Sequence, residues 1–572
     1  MLTNPWQHYR SLVQELIENA LQKLNINFPV NLLDAPEGKG DFTFTLFDLA
    51  KQLKKSPTDV AKIIIENIYI SEFLERIEAQ GPYLNFHLNK EYLTETTLNS
   101  IETLDENYGK FESRNKKVIV EHTSANPTGP LHVGRVRNSI IGDTIARILK
   151  FAGYDVITEF YVDDMGKQIV ILTWGSINLQ IERYNNERDD YFLSRVYQKA
   201  TQLMESDVQV KNAISEWLYN YEHGDKKLID EIRTTTDKVL QGILSSLKRL
   251  NIEFDKFSYE SDYVLKSDRV KDVISKLKKS EVAREENGAY YLDLSSYGLE
   301  KENAKFVFMR KDGTSLYGTR DIAYHIEKFQ RADIVINILG EDHRVQAKHV
   351  STALKIININ KTPETIFYAF VTLPEGKLST RKGTVIYLDD LIDEALQRAY
   401  EEVKKRRPQL TEDKMREIAN IVGIGALRYN YIRIQPEKQI VFDWNEALNF
   451  EGNSAPFIQY AHTRTHGILR KASNDWRQAT VNLRRLKEPE EQELVKTLAQ
   501  FPDTIIYAAE RRVPHILTTY LHKLVERFNT FYRYHSVLQS DKVIERLHLV
   551  NATRIVLRNG LNLLGITAPE EM

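Results

Sequence analysis

Residues 118–155 read VIVEHTSANPTGPLHVGRVRNSIIGDTIARILKFAGYD, and the fold of the chain turns on this stretch. A β-branched run, Val118 to Val120, breaks into Ser, Asn, Pro and Gly between Ser124 and Pro130. Val136, Ile140, Ile141, Ile145, Ile148, Leu149 and Ala152 then recur at helical spacing until Gly153 supplies a stop. The pattern predicts strand, loop, helix. In an open parallel sheet such a loop lies at the carboxyl ends of the strands, where ligands bind, and the helix start offers free N–H groups to an anion.

The loop places an imidazole and a side-chain-free backbone at the helix mouth, in Pro130-Leu131-His132-Val133-Gly134. That suits close approach of a nucleoside triphosphate, although a His-Val-Gly tripeptide by itself also reads as a capped turn. A second stretch, Lys377-Leu378-Ser379-Thr380-Arg381-Lys382-Gly383, is a basic loop beside a predicted helix. Two polar or cationic loops at one sheet edge are what phosphoryl chemistry needs, because its catalysis is mostly positioning and charge neutralisation.

HVGR at His132–Arg135 resembles the HIGH signature of class I aminoacyl-tRNA synthetases, and KLSTRK at Lys377–Lys382 resembles their KMSKS signature. EHTSANPTGPLHVG, YGTRDIAYHIEKF, FEGNSAPFIQYAHTR and NGLNLLGITAPEEM, in that order along nearly the whole chain, resemble arginyl-tRNA synthetases of the archaeal or bacterial type. The resemblance implies a multidomain α/β protein. A small α+β N-terminal domain (1–112) would precede a Rossmann-type class I synthetase catalytic domain (113–407), followed by an all-α, DALR-type anticodon-binding bundle (408–572). It implies activation of L-arginine by ATP, with magnesium on the phosphates, and transfer from arginyl-adenylate to the 3′-terminal adenosine of tRNA-Arg. It further implies that activation needs bound tRNA.

Composition agrees with such a chain. A length of 572 residues predicts about three or four domains. A net charge of −2 gives no global basic field, so RNA contacts must come from local patches. Zero cysteines exclude disulfides and Cys-type zinc sites, and no protein-bound metal is expected. No apolar run reaches ~18 residues and the first residues do not read as a signal peptide. A cytoplasmic monomer with no membrane contact is the expectation.

By the resemblance, the catalytic set is His132, Arg135, Lys377, Arg381 and Lys382, and ATP is expected against Pro130, His132, Gly134, His343, Ser379 and Thr380. Arginine is expected among Glu121, Asn126, Gln168, Tyr317, Asp321 and Glu341. Tyr317 and Asp321 stand four apart, so a helix sets an aromatic wall and a bidentate acceptor on one face, suited to a planar guanidinium. The same spacing fits an ordinary helix start. A pocket of charged hydrogen bonds rejects neutral amino acids without a separate editing domain, because its own groups are left unpaired.

Gly81–Phe86 alternates like an edge strand; the resemblance to the family's N-terminal domain, which contacts the tRNA elbow, implies that Tyr83 stacks on an unpaired base and Asn85 reads its edge, and a core aromatic is the competing reading. Residues 172–263 read as a helical insertion without a site, after which the sheet is expected to resume at Gly288–Leu294. Asp333–Leu339 reads as a strand buried on both faces. Beyond Pro408 the chain reads as helices; the resemblance implies that Tyr460, Tyr532 and Met572, with Arg464 and Arg533 nearby in sequence, meet anticodon bases, and a helical aromatic stripe in the core is the competing reading.

Two residues depart from the signatures. Arg135 replaces the second histidine of HIGH, and an always-charged fork is not an imidazole. Thr380 replaces a lysine of KMSKS, leaving the charge to Lys377, Arg381 and Lys382. A class I synthetase for another amino acid such as lysine, or an RNA-binding paralogue with a catalytic centre lost at Arg135, are the competing readings.

Overall fold

A computed structural model describes residues 2–372, 386–473 and 475–572. Its centre is a five-stranded, all-parallel sheet. The strands are β1 (Lys117–Glu121), β2 (Asp155–Val162), β3 (Lys256–Tyr259), β4 (Ile334–Gly340) and β5 (Glu364–Tyr368), in the lateral order β5-β4-β1-β2-β3. The chain winds one way from β1 and the other way from β4. The connections therefore part above these two neighbours and leave a crevice at their carboxyl ends. Glu121 and Asn337 face each other across the β1/β4 register at its floor.

The expected helix is α1, Val136–Phe151. It is buried nearly all round, including Arg137, Asn138, Ser139, Asp143 and Thr144. A surface helix shows one apolar face, but here helix α3 (Glu412–Ile432) and the helices Phe501–Arg511 and Val543–Leu563 pack over its outer side. Its polar residues consequently carry specific bonds instead of meeting water.

Three expectations are corrected. Residues 172–263 are not wholly an insertion, because Lys256–Tyr259 is β3, the edge of the central sheet; four residues among charged neighbours carry too short a pattern to read. Gly288–Leu294 does not rejoin that sheet. It belongs to an antiparallel hairpin, Ala283–Glu286 with Ala289–Asp293, to which Lys305–Met309 adds a third strand. Asn287 and Gly288 at φ of +53° and +82° close the hairpin in the two-residue turn that strand twist favours.

The third concerns Tyr83–Leu88, which is an inner strand of a four-stranded antiparallel N-terminal sheet, flanked by Phe42–Thr45 and Leu74–Gln80. Leu84, Asn85 and Phe86 are all buried, since neighbours on both sides and covered faces leave no open edge. The C-terminal part is helical apart from Ile440–Val441, which pairs in parallel with Val371–Thr372. Among the described residues no helix is long and apolar enough to cross a membrane.

Candidate active site

The loop after β1 carries backbone strain. Thr123 and Ser124 have φ of +72° and +41°, a conformation costing roughly 1–3 kcal/mol per residue. The first turns of α1 hold them there. The Thr123 amide donates to Asn138 Oδ1 at 2.8 Å, and its hydroxyl donates to Ser139 at 2.8 Å. Asn138 Nδ2 reaches the Ile338 carbonyl on β4 at 3.0 Å, so one helix turn fixes the loop against both strands of the crevice. Gly142 is required beneath, because a Cβ there would lie 2.3 Å from the His122 side chain. Burial pushes the His122 pKa down to about 4, keeping that ring neutral.

His132 caps the short turn Val133–Arg135 that leads into α1. Its Nδ1 accepts the Gly134 amide at 3.0 Å, so a neutral ring carries its proton on Nε2 and offers a donor. Burial, then the Arg135 charge, holds its pKa below the ordinary histidine value. A Cβ on Gly134 would sit 3.1 Å from that Nδ1. Pro130 is buried at the loop's end, and Arg135 stands beside the Tyr368 phenol. The Val133 amide donates to the Ile386 carbonyl at 3.1 Å, and the Leu388 amide to the Leu131 carbonyl at 2.8 Å. Lys377, Ser379, Thr380, Arg381 and Lys382 lie outside the described residues.

Tyr317 opens helix α2 (Tyr317–Arg331), with Asp321 one turn on. The Tyr317 hydroxyl lies against Gly166, where a Cβ would approach it to 3.1 Å. Across the site Asn126 Nδ2 donates to Gln168 Oε1 at 3.0 Å. Burial opposes ionisation of Asp321, but His325 at 2.9 Å, with Lys328 and His343, outweighs it and holds the carboxyl below its ordinary pKa. Glu121 accepts Lys328 Nζ at 2.6 Å and the Ser124 hydroxyl at 3.1 Å. His343 and Asp321 line one small cavity of about 50 Å³. Glu341 instead is exposed and pairs with Arg344 at 3.4 Å, so it is not brought to the other candidates.

Sequence reasoning missed Glu260. Its Oε2, the Asp163 Oδ1 and the Tyr161 hydroxyl are buried without a hydrogen-bond partner among the described residues. Burial raises the pKa of both carboxyls; the Asp163 charge raises Glu260 further, whereas the Glu260 carboxyl and the Arg320 charge pull Asp163 back toward its ordinary value. Arg320 approaches Glu260 Oε1 at 3.5 Å and shares its other donors between Ser315 and Glu222, the latter at 3.6 Å. Orphaned buried polar groups are rare, and two of these three belong to carboxyls, which accept from planar cationic donors. A glutamate in SYESDY carries no local signal; only the chain's return through β3 brings it to the end of β2.

In the C-terminal helical part Tyr460, Tyr532 and Met572 do come together. The Arg464 guanidinium lies 5.0 Å from the Tyr460 ring and 5.4 Å from the Tyr532 ring, and donates to Asn529 at 2.9 Å. Two adjoining cavities of about 620 and 940 Å³ share Arg407, Tyr460, Arg464 and Met572. In the N-terminal sheet Tyr83 is exposed edge-on to Phe47, centroids 5.9 Å apart. Asn85 is 3% exposed and offers no edge to a base as the chain is folded here.

The fold and crevice are those of a class I aminoacyl-tRNA synthetase. Residues 97–444 match the family described as tRNA synthetases class I (R), catalytic domain; residues 458–572 match the DALR anticodon binding domain, and residues 10–88 the arginyl tRNA synthetase N terminal domain. The arginine–tRNA ligase of Methanocella arvoryzae is 46% identical over 92% of each chain, and that of Methanothermobacter thermautotrophicus 42% over 98% of each. The solved Thermus thermophilus arginyl-tRNA synthetase superposes with a TM-score of 0.82 at 30% identity, covering 98% of this chain and 100% of that one. The chain belongs to the arginyl-tRNA synthetase family.

Proposed function

We propose that the protein is an arginine–tRNA ligase, joining L-arginine to the 3′-terminal adenosine of tRNA-Arg at the expense of ATP, with release of AMP and pyrophosphate. The observation that carries this reading is the row of carboxylates, Asp321 ionised and Asp163 and Glu260 with unpaired oxygens, gathered around Tyr317 within the crevice that His132 borders. A guanidinium supplies the planar donors these groups lack. Lysine's single ammonium would leave several of them unpaired, which gives the discrimination a cause.

In this account ATP lies across the His132–Gly134 mouth with magnesium on its phosphates. The arginine carboxylate attacks the α-phosphorus in line, and pyrophosphate leaves. The His132 Nε2–H donates to the phosphate, with Arg135, Lys377, Arg381 and Lys382 neutralising charge as it develops. The ammonium end of arginine meets Glu121, Asn126 and Gln168, while Pro130, His343, Ser379 and Thr380 border the nucleotide. The terminal 2′-hydroxyl of the tRNA then takes the arginyl group. Tyr83 is assigned to an unpaired base in the tRNA body, and Tyr460, Tyr532 and Met572 to the anticodon. The enzyme is taken to act as a cytoplasmic monomer.

Charging of tRNA with labelled arginine and, in parallel, lysine tests the reading. Arginine alone should be incorporated, and Asp321→Ala should abolish it; incorporation of lysine that survives D321A would point to a different amino acid.

A further inference from the structure

Lys328 lies on α2 with a side chain 0% exposed. A buried ammonium is expensive unless every hydrogen finds an acceptor. Its Nζ donates to Glu121 Oε2 at 2.6 Å and to Asn337 Oδ1 at 3.0 Å, and rests 4.1 Å from the centroid of the Tyr324 ring. An ammonium can only donate, so Asn337 must turn its carbonyl to Lys328. That leaves the Asn337 amide nitrogen facing His325 Nε2 at 2.7 Å. With a donor opposite, Nε2 is the acceptor and the ring proton belongs on Nδ1. Nδ1 points at Asp321, 2.9 Å from Oδ1 and 2.8 Å from the backbone carbonyl. The direction of the whole row, from Lys328 through Asn337 and His325 to Asp321, is thus set from its buried end.

We propose that Lys328 is a positioning residue of the amino-acid pocket, holding Glu121 directly and Asp321 through Asn337 and His325 in the orientation that meets the substrate. The inference rests on the reading above that these two carboxylates face arginine. Glu121 ends β1 and Asp321 stands on α2, two elements with no other bond between their carboxylates among those described. A lysine that served the core alone would have no reason to fix a histidine tautomer on the pocket side.

The test is the dependence of ATP–pyrophosphate exchange on arginine and on ATP, in the full-length enzyme with tRNA, for Lys328→Met and Asn337→Ala. K328M should raise the arginine KM by ~10-fold or more, and N337A by less, with the ATP KM within about 2-fold of wild type. N337A keeps the Lys328–Glu121 pair and decides the matter if K328M does not fold. A wild type that exchanges with arginine, beside variants whose arginine KM is unchanged or rises in step with the ATP KM, overturns the inference and leaves the function standing. A wild type that exchanges with another amino acid and not with arginine removes the function and the inference together.

Discussion

Arg428 on α3 and Asp143 on α1 form an ion pair inside the protein, with the arginine 0% exposed. Arg428 also donates to the carbonyls of Leu564 at 2.7 Å and Leu250 at 2.6 Å. One guanidinium therefore ties the helix that begins at the His132 mouth to the helical stretch before β3 and to the last turn of the C-terminal helices. Gly565 must be glycine for this, since its φ is +68° and a Cβ would lie 2.2 Å from Arg428 Nη2.

Arg428→Met should cost about 3–5 kcal/mol, because it strands a buried carboxylate. Denaturant unfolding measures this. Burial works against ionised Asp143, yet Arg428 and Arg147 outweigh it and hold the folded pKa below the ordinary value. The pair's contribution is therefore fully present above the unfolded pKa of about 3.9 and is lost as pH falls through the lower, folded one. Asp143→Asn should flatten stability in that acidic window; an unchanged acid limb would contradict the linkage.

His132→Ala should lower kcat by roughly 10²–10³ while the arginine KM stays near wild type. Burial and the Arg135 charge depress the folded pKa, so above the ordinary histidine value near 6.5 the ring is mainly neutral. Between pH 7 and 8.5 the wild-type rate should show no histidine inflection from this residue, which a pH–rate profile compared with H132A checks.

Asp163 and Glu260 give substrate binding a pH dependence of its own. Their pKa values are raised by burial first, and a guanidinium binds the ionised form. Arginine KM should fall as pH rises above the ordinary carboxylate range near 4. Glu260→Gln should raise the KM by roughly 10-fold and weaken that dependence. A KM that improves on acidification would refute the assignment.

Tyr460→Ala and Tyr532→Ala should each weaken tRNA binding by about 1–3 kcal/mol if a base stacks there, with exchange at saturating tRNA little changed. Arg464→Ala removes the cation between both rings and should weaken binding too. Filter binding with the cognate tRNA reads these out.

The strand, loop and helix around His132 were legible because strand and helix periods each fill one uninterrupted segment, and the Tyr317–Asp321 spacing was legible because both lie within one turn. Glu260 and Lys328 were not. Each is a charged residue that periodicity assigns to a solvated face, and each is buried only because a distant strand closes over it: β3 carries Glu260 to the end of β2, while β1 and β4 enclose Lys328. The alternation around Tyr83 reads as an edge strand because it reports which face a side chain takes, not how many neighbours its strand acquires. Arg428 likewise reads as an ordinary residue of an amphipathic helix until α1 packs beneath it.

The most direct measurement is ATP–pyrophosphate exchange with arginine and with lysine, each with and without tRNA-Arg. Exchange with arginine, appearing only when the tRNA is present, is the predicted result and shows that HVGR with Arg135 is a working signature. No exchange with either amino acid, from a protein that still binds the tRNA, would contradict the account and leave an RNA-binding chain without catalysis.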